Sequence, residues 1–316
     1  MRIAFVDSVH PVLAERLVAE GHTVTALHRL DDDRLGPALT DSDGIVVRSR
    51  PLPAELLCHA LSLRFVARVG SGTENIDKAY CGTHGIRVIN SPEGNRDGVG
   101  ELCVAQLLAL LKHTHRANEQ VHRGLWVREE NRGTDLSGKT VGIIGFGHMG
   151  SSFAQKLSGF GVKVLAHDKY TEPQAGGHVE ACSLERTMAE SDVISLHLPL
   201  TDETVHYANA AFFDLVERPI WFLNTSRGPV VHTEALLDAL DSGRVLGAAL
   251  DVLEFERTDL SGLDPTMQPA VQRRLFTHPG ILLTPHIAGV THEGKYKMAS
   301  ILADKIIEAF PNVQHH

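Results

Sequence analysis

"TVGIIGFGHMGSSFAQKL", residues 140–157, decides how this chain folds. It opens on an apolar, largely β-branched run and closes on a helical pattern. Between the two, Gly145, Gly147 and Gly150 fall in the spacing G-x-G-x-x-G. Three glycines at that spacing are a weak signal in a chain that has 28 of them. Their place directly after a strand and directly before a helix is the context a pyrophosphate cradle needs. The first glycine permits the tight turn, the second lets backbone approach a phosphate, and the third lets helix pack on strand. The helix start then offers free N–H groups and a partial positive charge.

Asp168 lies eighteen residues beyond Gly150, at the end of the next strand, "VKVLAHD" (162–168). A carboxylate there accepts bonds from adenosine ribose hydroxyls and repels a 2′-phosphate, which favours NAD over NADP. Lys169 next to it works against that preference. The same βαβ rhythm runs on through "DVISLHL" (192–198), "IWFLNTS" (220–226), "VLGAALDV" (245–252) and "ILLTPHI" (281–287). Thr233 is placed to cap the helix "EALLDAL", and Gly243 to end it. An earlier series, "RIAFVD" (2–7), "HTVTAL" (22–27), "GIVVRS" (44–49), "RFVARV" (64–69) and "IRVINS" (86–91), has the same character. Two doubly wound α/β domains with parallel sheets are predicted.

Residues 98–125 interrupt this alternation as one long helical stretch. Val99, Leu102, Val104, Leu107, Leu108, Leu110 and Leu111 cover more than one face of it, so burial between domains or between subunits is expected. The last helix, about 291–310, has no strand left to serve in the second domain and is expected to return to the first. The resulting boundaries are 1–96 plus 291–316 for one domain and 97–290 for the other.

Composition narrows the class. The formal net charge of −9 argues against a nucleic-acid or anionic membrane surface as main partner. No apolar run approaches the ~20 residues that span a bilayer, and the N-terminus reads as a strand, not a signal peptide. Four scattered cysteines without a C-x-x-C pair read as reduced thiols of a cytoplasmic protein. His113, His115 and His122 lie close together with no carboxylate or cysteine to complete a metal site, so no metal is expected.

The motifs "GSGTENID" (70–77), "NSPEGNRDGVGE" (90–101), "GKTVGIIGFGHMG" (138–150), "HLPLTDET" (197–204), "NTSRGPVV" (224–231), "GAALDVLEFE" (247–256) and "TPHIAG" (284–289) occur in that order. Together they resemble the D-isomer-specific 2-hydroxyacid dehydrogenases over essentially the whole chain. Within that family the similarity is greatest to D-3-phosphoglycerate dehydrogenases of the form without a regulatory domain, through "VRSR" (47–50) and the long helical segment. The resemblance implies a flavodoxin-like substrate domain, a Rossmann NAD-binding domain, a cleft between them, and a homodimer paired through the NAD-binding domains.

It also implies a site. Hydride transfer from a hydroxy acid needs a group to hold the substrate carboxylate, a proton carrier, and a partner that tunes the carrier. Arg227 follows a strand in "NTSRG", and its planar fork suits a carboxylate, although most arginines only make surface ion pairs. Imidazole as a group titrates near neutrality, and His286 in "TPHIAG" is the implied proton carrier, against the alternative of a packed core histidine. Glu256, five positions after Asp251, is the implied partner of His286. Glu254 competes with it, because an extended chain points both carboxylates the same way. The implied cofactor residues are Gly145, Gly147, His148, Met149, Gly150, Asp168, Pro199, Thr225, Ser226, Asp251 and Gly289, with Asp251 meeting the nicotinamide carboxamide. Ser71 and Gly72 resemble a second carboxylate clamp. Arg48 and Arg50 are candidates for a substrate phosphate, or else a solvated strand edge.

Several positions depart from the family pattern. Arg257 stands where proline usually follows the glutamate, His232 where aspartate is common, and 257–279 is longer than most relatives carry, consistent with an added helix near the site. "THEGK" (291–295) instead resembles erythronate-4-phosphate dehydrogenase. The expected reaction is NAD-dependent oxidation of D-3-phosphoglycerate to 3-phosphohydroxypyruvate, as in serine biosynthesis. Erythronate 4-phosphate or glycerate/hydroxypyruvate are the alternative substrates. An NAD(H)-sensing scaffold without turnover is the alternative of another class.

Overall fold

In the computed structural model, residues 1–173, 176–257, 259, 261–264 and 269–311 are described. They form two compact units: Met1–Arg96 with Arg257–Ser261 and Val290–His316, and Asp97–Glu256 with Gly262–Gly289. The first unit holds β1 (Arg2–Phe5), β2 (Thr23–Ala26), β3 (Gly44–Val47), β4 (Phe65–Arg68) and β5 (Arg87–Asn90). All pair in parallel, in the order β2-β1-β3-β4-β5. This is the flavodoxin-like arrangement, whose order reverses between β1 and β3. Alternate side chains feed two cores. Ile3, Phe5, Val46 and Phe65 meet Leu13 and Leu17 on one face. Ala4, Ile45, Val47 and Val66 meet Leu35, Leu39 and Leu57 on the other. The inner strands β1, β3 and β4, buried on both faces, read as largely continuous apolar runs. The final helix, His292–Ala309, lays Ala299, Leu302, Ala303 and Ile306 into the first of these cores.

The second unit adds β6 (Thr140–Ile144), β7 (Lys163–His167), β8 (Val179–Ala181), β9 (Val193–Leu196), β10 (Ile220–Asn224), β11 (Val245–Leu250) and β12 (Ile281–Leu283). The seven run parallel in the order β12-β11-β10-β9-β6-β7-β8. The order reverses between β6 and β9, so the crevice for a ligand lies at the carboxyl ends of those two strands. β8 was not foreseen. It is a three-residue, half-buried edge strand, too short to carry an apolar pattern.

Three other expectations are corrected. The stretch 98–125 is two helices, Arg96–Leu111 and Thr114–His122, broken at His113, which adopts φ 54°. No glycine or proline announces that break. His232, not Thr233, caps the helix Thr233–Asp241, its Nδ1 accepting from the Ala235 N–H at 3.3 Å. Leu107 is fully buried inside its own unit, so it offers nothing to a second subunit. The partly buried apolar residues of that helix are Leu102, Val104 and Leu108. In the 257–279 segment the described helix is Pro269–Thr277. Val271 and Leu275 pack there with Leu236 and Leu240, and Arg274 bonds Asp238 and Asp241 at 2.8 and 2.7 Å.

Candidate active site

The glycine turn joins β6 to the helix His148–Lys156 at the crevice. Gly145 has φ 91°, and a Cβ on it would stand 2.4 Å from the carbonyl oxygen of His197, just past β9. A Cβ on Gly150 would stand 2.1 Å from the Gly145 carbonyl oxygen. Both must be glycine because backbone is already there. Gly147 differs: a Cβ there meets nothing within 4 Å, and no side chain caps the helix it begins. The turn thus presents open space in front of an uncapped helix start, which fits a dinucleotide pyrophosphate. His148 is exposed, whereas Met149 packs against the core below.

Asp168, just past β7, fits the adenosine end. Its Oδ2 accepts from the Phe146 N–H of the glycine turn at 2.8 Å, and its Oδ1 from the N–H groups of Tyr170 and Thr171, both at 2.9 Å. Partial burial pushes its pKa up, but these three donors outweigh it and hold the carboxyl below its ordinary range. Oδ2 keeps a lone pair for a ribose hydroxyl. Lys169, the residue that blurred the cofactor preference, is paired with Glu203, which also receives the Tyr170 hydroxyl. On the other wall, Pro199 is exposed, its carbonyl accepting from Thr204 at 2.6 Å.

Past β10 the chain is shaped by Asn224, which sequence reasoning passed over. Its buried Oδ1 accepts from the Ser226 N–H and hydroxyl at 3.0 and 2.7 Å, and its Nδ2 donates to the Arg227 carbonyl at 3.0 Å. Thr225 Oγ1 lies 3.2 Å from the Sγ of Cys103, a thiol that full burial raises to about 12. The side chains of Thr225 and Ser226 therefore serve the loop itself. Arg227 follows, its Nη1 donating to the Ser226 carbonyl at 2.6 Å. A Cβ on Gly228 would stand 1.8 Å from the Leu253 carbonyl oxygen. Only glycine lets this loop seat directly on the segment that carries Glu256.

That segment turns rather than extends, with the Glu256 N–H bonded to the Leu253 carbonyl at 3.1 Å. The two glutamates consequently diverge. Glu254 takes His206 Nε2 at 2.6 Å and the Thr233 N–H at 2.8 Å. Glu256 lies 3.3 Å from Nδ1 of His286. Nδ1 facing the carboxylate leaves Nε2 for another partner.

His286 sits at φ 54°, in the left-handed region that few residues other than glycine adopt. Asp251 surrounds it with bonds. Its backbone carbonyl takes the His286 N–H at 2.7 Å. Its Oδ1 takes the Thr284 hydroxyl at 2.5 Å and the Ile287 N–H at 2.9 Å, and its Oδ2 takes the Ala288 N–H at 2.8 Å. Asp251 is fully buried. Its carboxylate thus holds the loop that carries His286. Gly289 closes the loop, half-buried.

In the first unit, Ser71 Oγ donates to Asn95 Oδ1 at 2.9 Å, its carbonyl accepts from Asn90 Nδ2 at 2.5 Å, and Gly72 is buried. Arg50 is already committed: Nη2 donates to the Leu30 carbonyl at 2.6 Å and Nε to Asp32 at 3.1 Å. That use corrects its candidacy as a phosphate ligand. Asp7, at the point where the strand order reverses, accepts the N–H groups of Arg48, Ser49 and Arg50 at 2.7, 2.8 and 3.0 Å. The Arg48 side chain is exposed. Arg68, overlooked in the sequence, ends β4 with its Nε on the Arg48 carbonyl at 3.0 Å, against the face of Gly70. Only its place two residues before that glycine could have signalled it.

Among the described residues no cluster of three or more metal-ligating side chains occurs, and no helix is long and apolar enough to cross a membrane.

Comparison with known proteins follows the same lines. Residues 104–288 match the model of the D-isomer specific 2-hydroxyacid dehydrogenase NAD binding domain. The chain is 34% identical to a hydroxypyruvate reductase of Thermotoga maritima over 90% of both proteins. It is also 34% identical to the D-3-phosphoglycerate dehydrogenase of Bacillus subtilis, over 84% of this chain but 49% of that one, so it spans about half the length of that relative. The crystal structure of D-lactate dehydrogenase from Aquifex aeolicus, complexed with NAD and lactic acid, superimposes with a TM-score of 0.80 at 27% identity, covering 98% of this chain and 95% of that one. With one family model spanning more than half its length and identity sustained across nine-tenths of it, the chain belongs to the NAD-dependent D-isomer-specific 2-hydroxyacid dehydrogenases.

Proposed function

We propose that this protein interconverts D-3-phosphoglycerate and 3-phosphohydroxypyruvate, an entry step to serine, in the cytoplasm. The observation that carries the reaction class is the Glu256–His286 pair at 3.3 Å, on a segment against which Gly228 seats the Arg227 loop. Arg227 holds the substrate carboxylate and the oxygen on C2 through its planar fork. His286 Nε2 takes the hydroxyl proton on oxidation and returns it on reduction, and Glu256 at Nδ1 stabilises the imidazolium. Bound NAD supplies the hydride acceptor for C2.

The phosphate assignment rests on the first unit. Arg48 and Arg68 stand at the carboxyl ends of the neighbouring strands β3 and β4, where α/β sheets take their ligands. The Ser71–Gly72 backbone is the proposed second carboxylate clamp. Hydroxypyruvate is the second reading, favoured by the commitment of Arg50 to Asp32 and by the Thermotoga relative. A panel of 2-oxo acids with NADH, followed by loss of NADH absorbance, tests both. Phosphohydroxypyruvate should exceed hydroxypyruvate in kcat/KM by at least about tenfold, and Arg48→Ala should erase most of that ratio, roughly 1.4 kcal/mol. A wild type that favours hydroxypyruvate selects the second reading. NADH binding without turnover of any member selects a sensor.

We also propose a homodimer that covers Val104 and Leu108, partly buried apolar residues one turn apart on the helix Arg96–Leu111. A charge buried there has no partner, so Leu108→Arg should give monomers by sedimentation. A wild type already monomeric at micromolar concentration overturns this assembly.

A further inference from the structure

We infer that Gln106 is a positioning residue for the proton carrier, acting on the His286 loop through Thr284 and Asp251. The inference rests on reading His286 as that carrier. Gln106 lies in the middle of the helix Arg96–Leu111, where its neighbours are apolar, and it is 2% exposed. Its Nε2 donates to Thr284 Oγ1 at 2.9 Å. The Thr284 hydroxyl lies 2.5 Å from Asp251 Oδ1.

The direction of this chain follows from the chemistry of its ends. Asp251 Oδ1 already accepts the Ile287 N–H, so it is an acceptor, and the Thr284 proton must point at it. Thr284 can then only accept from Gln106, which fixes the amide with its NH₂ group toward the loop. The same orientation leaves Gln106 Oε1 buried without a partner among the described residues. A buried amide with one unmet acceptor is a costly choice for a helix interior. Packing gives no reason for it, since leucine or methionine would fill the volume. The donor to Thr284 does give one.

The beneficiary is His286. Its φ of 54° lies in the left-handed region, which costs a non-glycine residue some strain. It is held because the amides at 286, 287 and 288 all end on Asp251. The position of Asp251 is held in turn by Thr284, and that of Thr284 by Gln106. One turn earlier on the same helix face, Cys103 touches Thr225 at the base of the Arg227 loop. The helix therefore reaches both loops, through Cys103 and Gln106.

Gln106→Leu tests this. Turnover of the best 2-oxo acid should fall about tenfold while NADH affinity stays within about twofold. Amide hydrogen exchange across 284–288 should accelerate. The melting temperature should hold or rise, because the unmet acceptor is gone, and a purely structural role would lower it. Thr284→Val should reproduce the loss and Thr284→Ser should not. The double variant Gln106→Leu with Thr284→Val should lose no more than either alone. Turnover within twofold of wild type, or unchanged exchange across 284–288, overturns the inference. Should the wild type reduce no 2-oxo acid at all, the activity reading fails, and the exchange measurement still decides the positioning role.

Discussion

Replacing His286 with asparagine is expected to cut turnover by ~10²–10⁴-fold, the usual worth of a positioned general acid–base group. Asparagine is the informative choice. It tolerates the left-handed conformation that residue 286 adopts, whereas alanine there adds roughly 1–2 kcal/mol of strain. Neither its length nor its chemistry lets it carry the proton. The fold should therefore survive with an unchanged melting temperature and normal NADH binding by fluorescence titration. Near wild-type rates across neutral pH would mean that the proton carrier is another group.

Asp168→Ala is expected to narrow the preference for NAD over NADP by at least about tenfold, roughly 1.4 kcal/mol. The carboxylate repels a 2′-phosphate, and Lys169, tied to Glu203, is not placed to offset that. The variant also leaves the N–H groups of Phe146, Tyr170 and Thr171 without their acceptor, so it should be less stable. Because the folded pKa of Asp168 lies below its ordinary value, its contribution is complete above the unfolded pKa of about 3.9 and fades only as pH falls through the lower folded value. At neutral pH the variant thus forfeits all of it. Taking the ratio of the two cofactors at one pH removes this loss, since both draw on the same folded fraction. An unchanged ratio would remove Asp168 from cofactor selection.

What the sequence made legible was whatever it encodes locally. The central parallel strands announce themselves because both of their faces are buried, as in Gly44–Val47 and Val193–Leu196. β8 does not, being a short edge. The glycine turn was readable because backbone contact forces glycine at 145 and 150. Features set by distant partners were not. Nothing near Glu254 indicates that His206, 48 positions away, will claim it. Nothing near Arg50 points to Leu30 and Asp32. The break at His113 carries no helix-breaking residue, and the inward task of Asp251 depends on a loop more than thirty residues on. An alternating carboxylate pair such as 254 and 256 can be assigned only when the turn between them is known.

The seat of Gly228 on the Leu253 carbonyl bears on how such a protein can be recombined. Two loops in backbone contact are not separate modules. A chimera that imports residues 225–231 with any side chain at 228 must import its own 253–256 as well, or open both. The second unit's reactive loops thus travel as one cassette. The first unit holds a contact of the same kind, since a Cβ on Gly94 would stand 2.4 Å from the backbone nitrogen of Met298 in the final helix. In each unit, such a pair of segments is inherited whole.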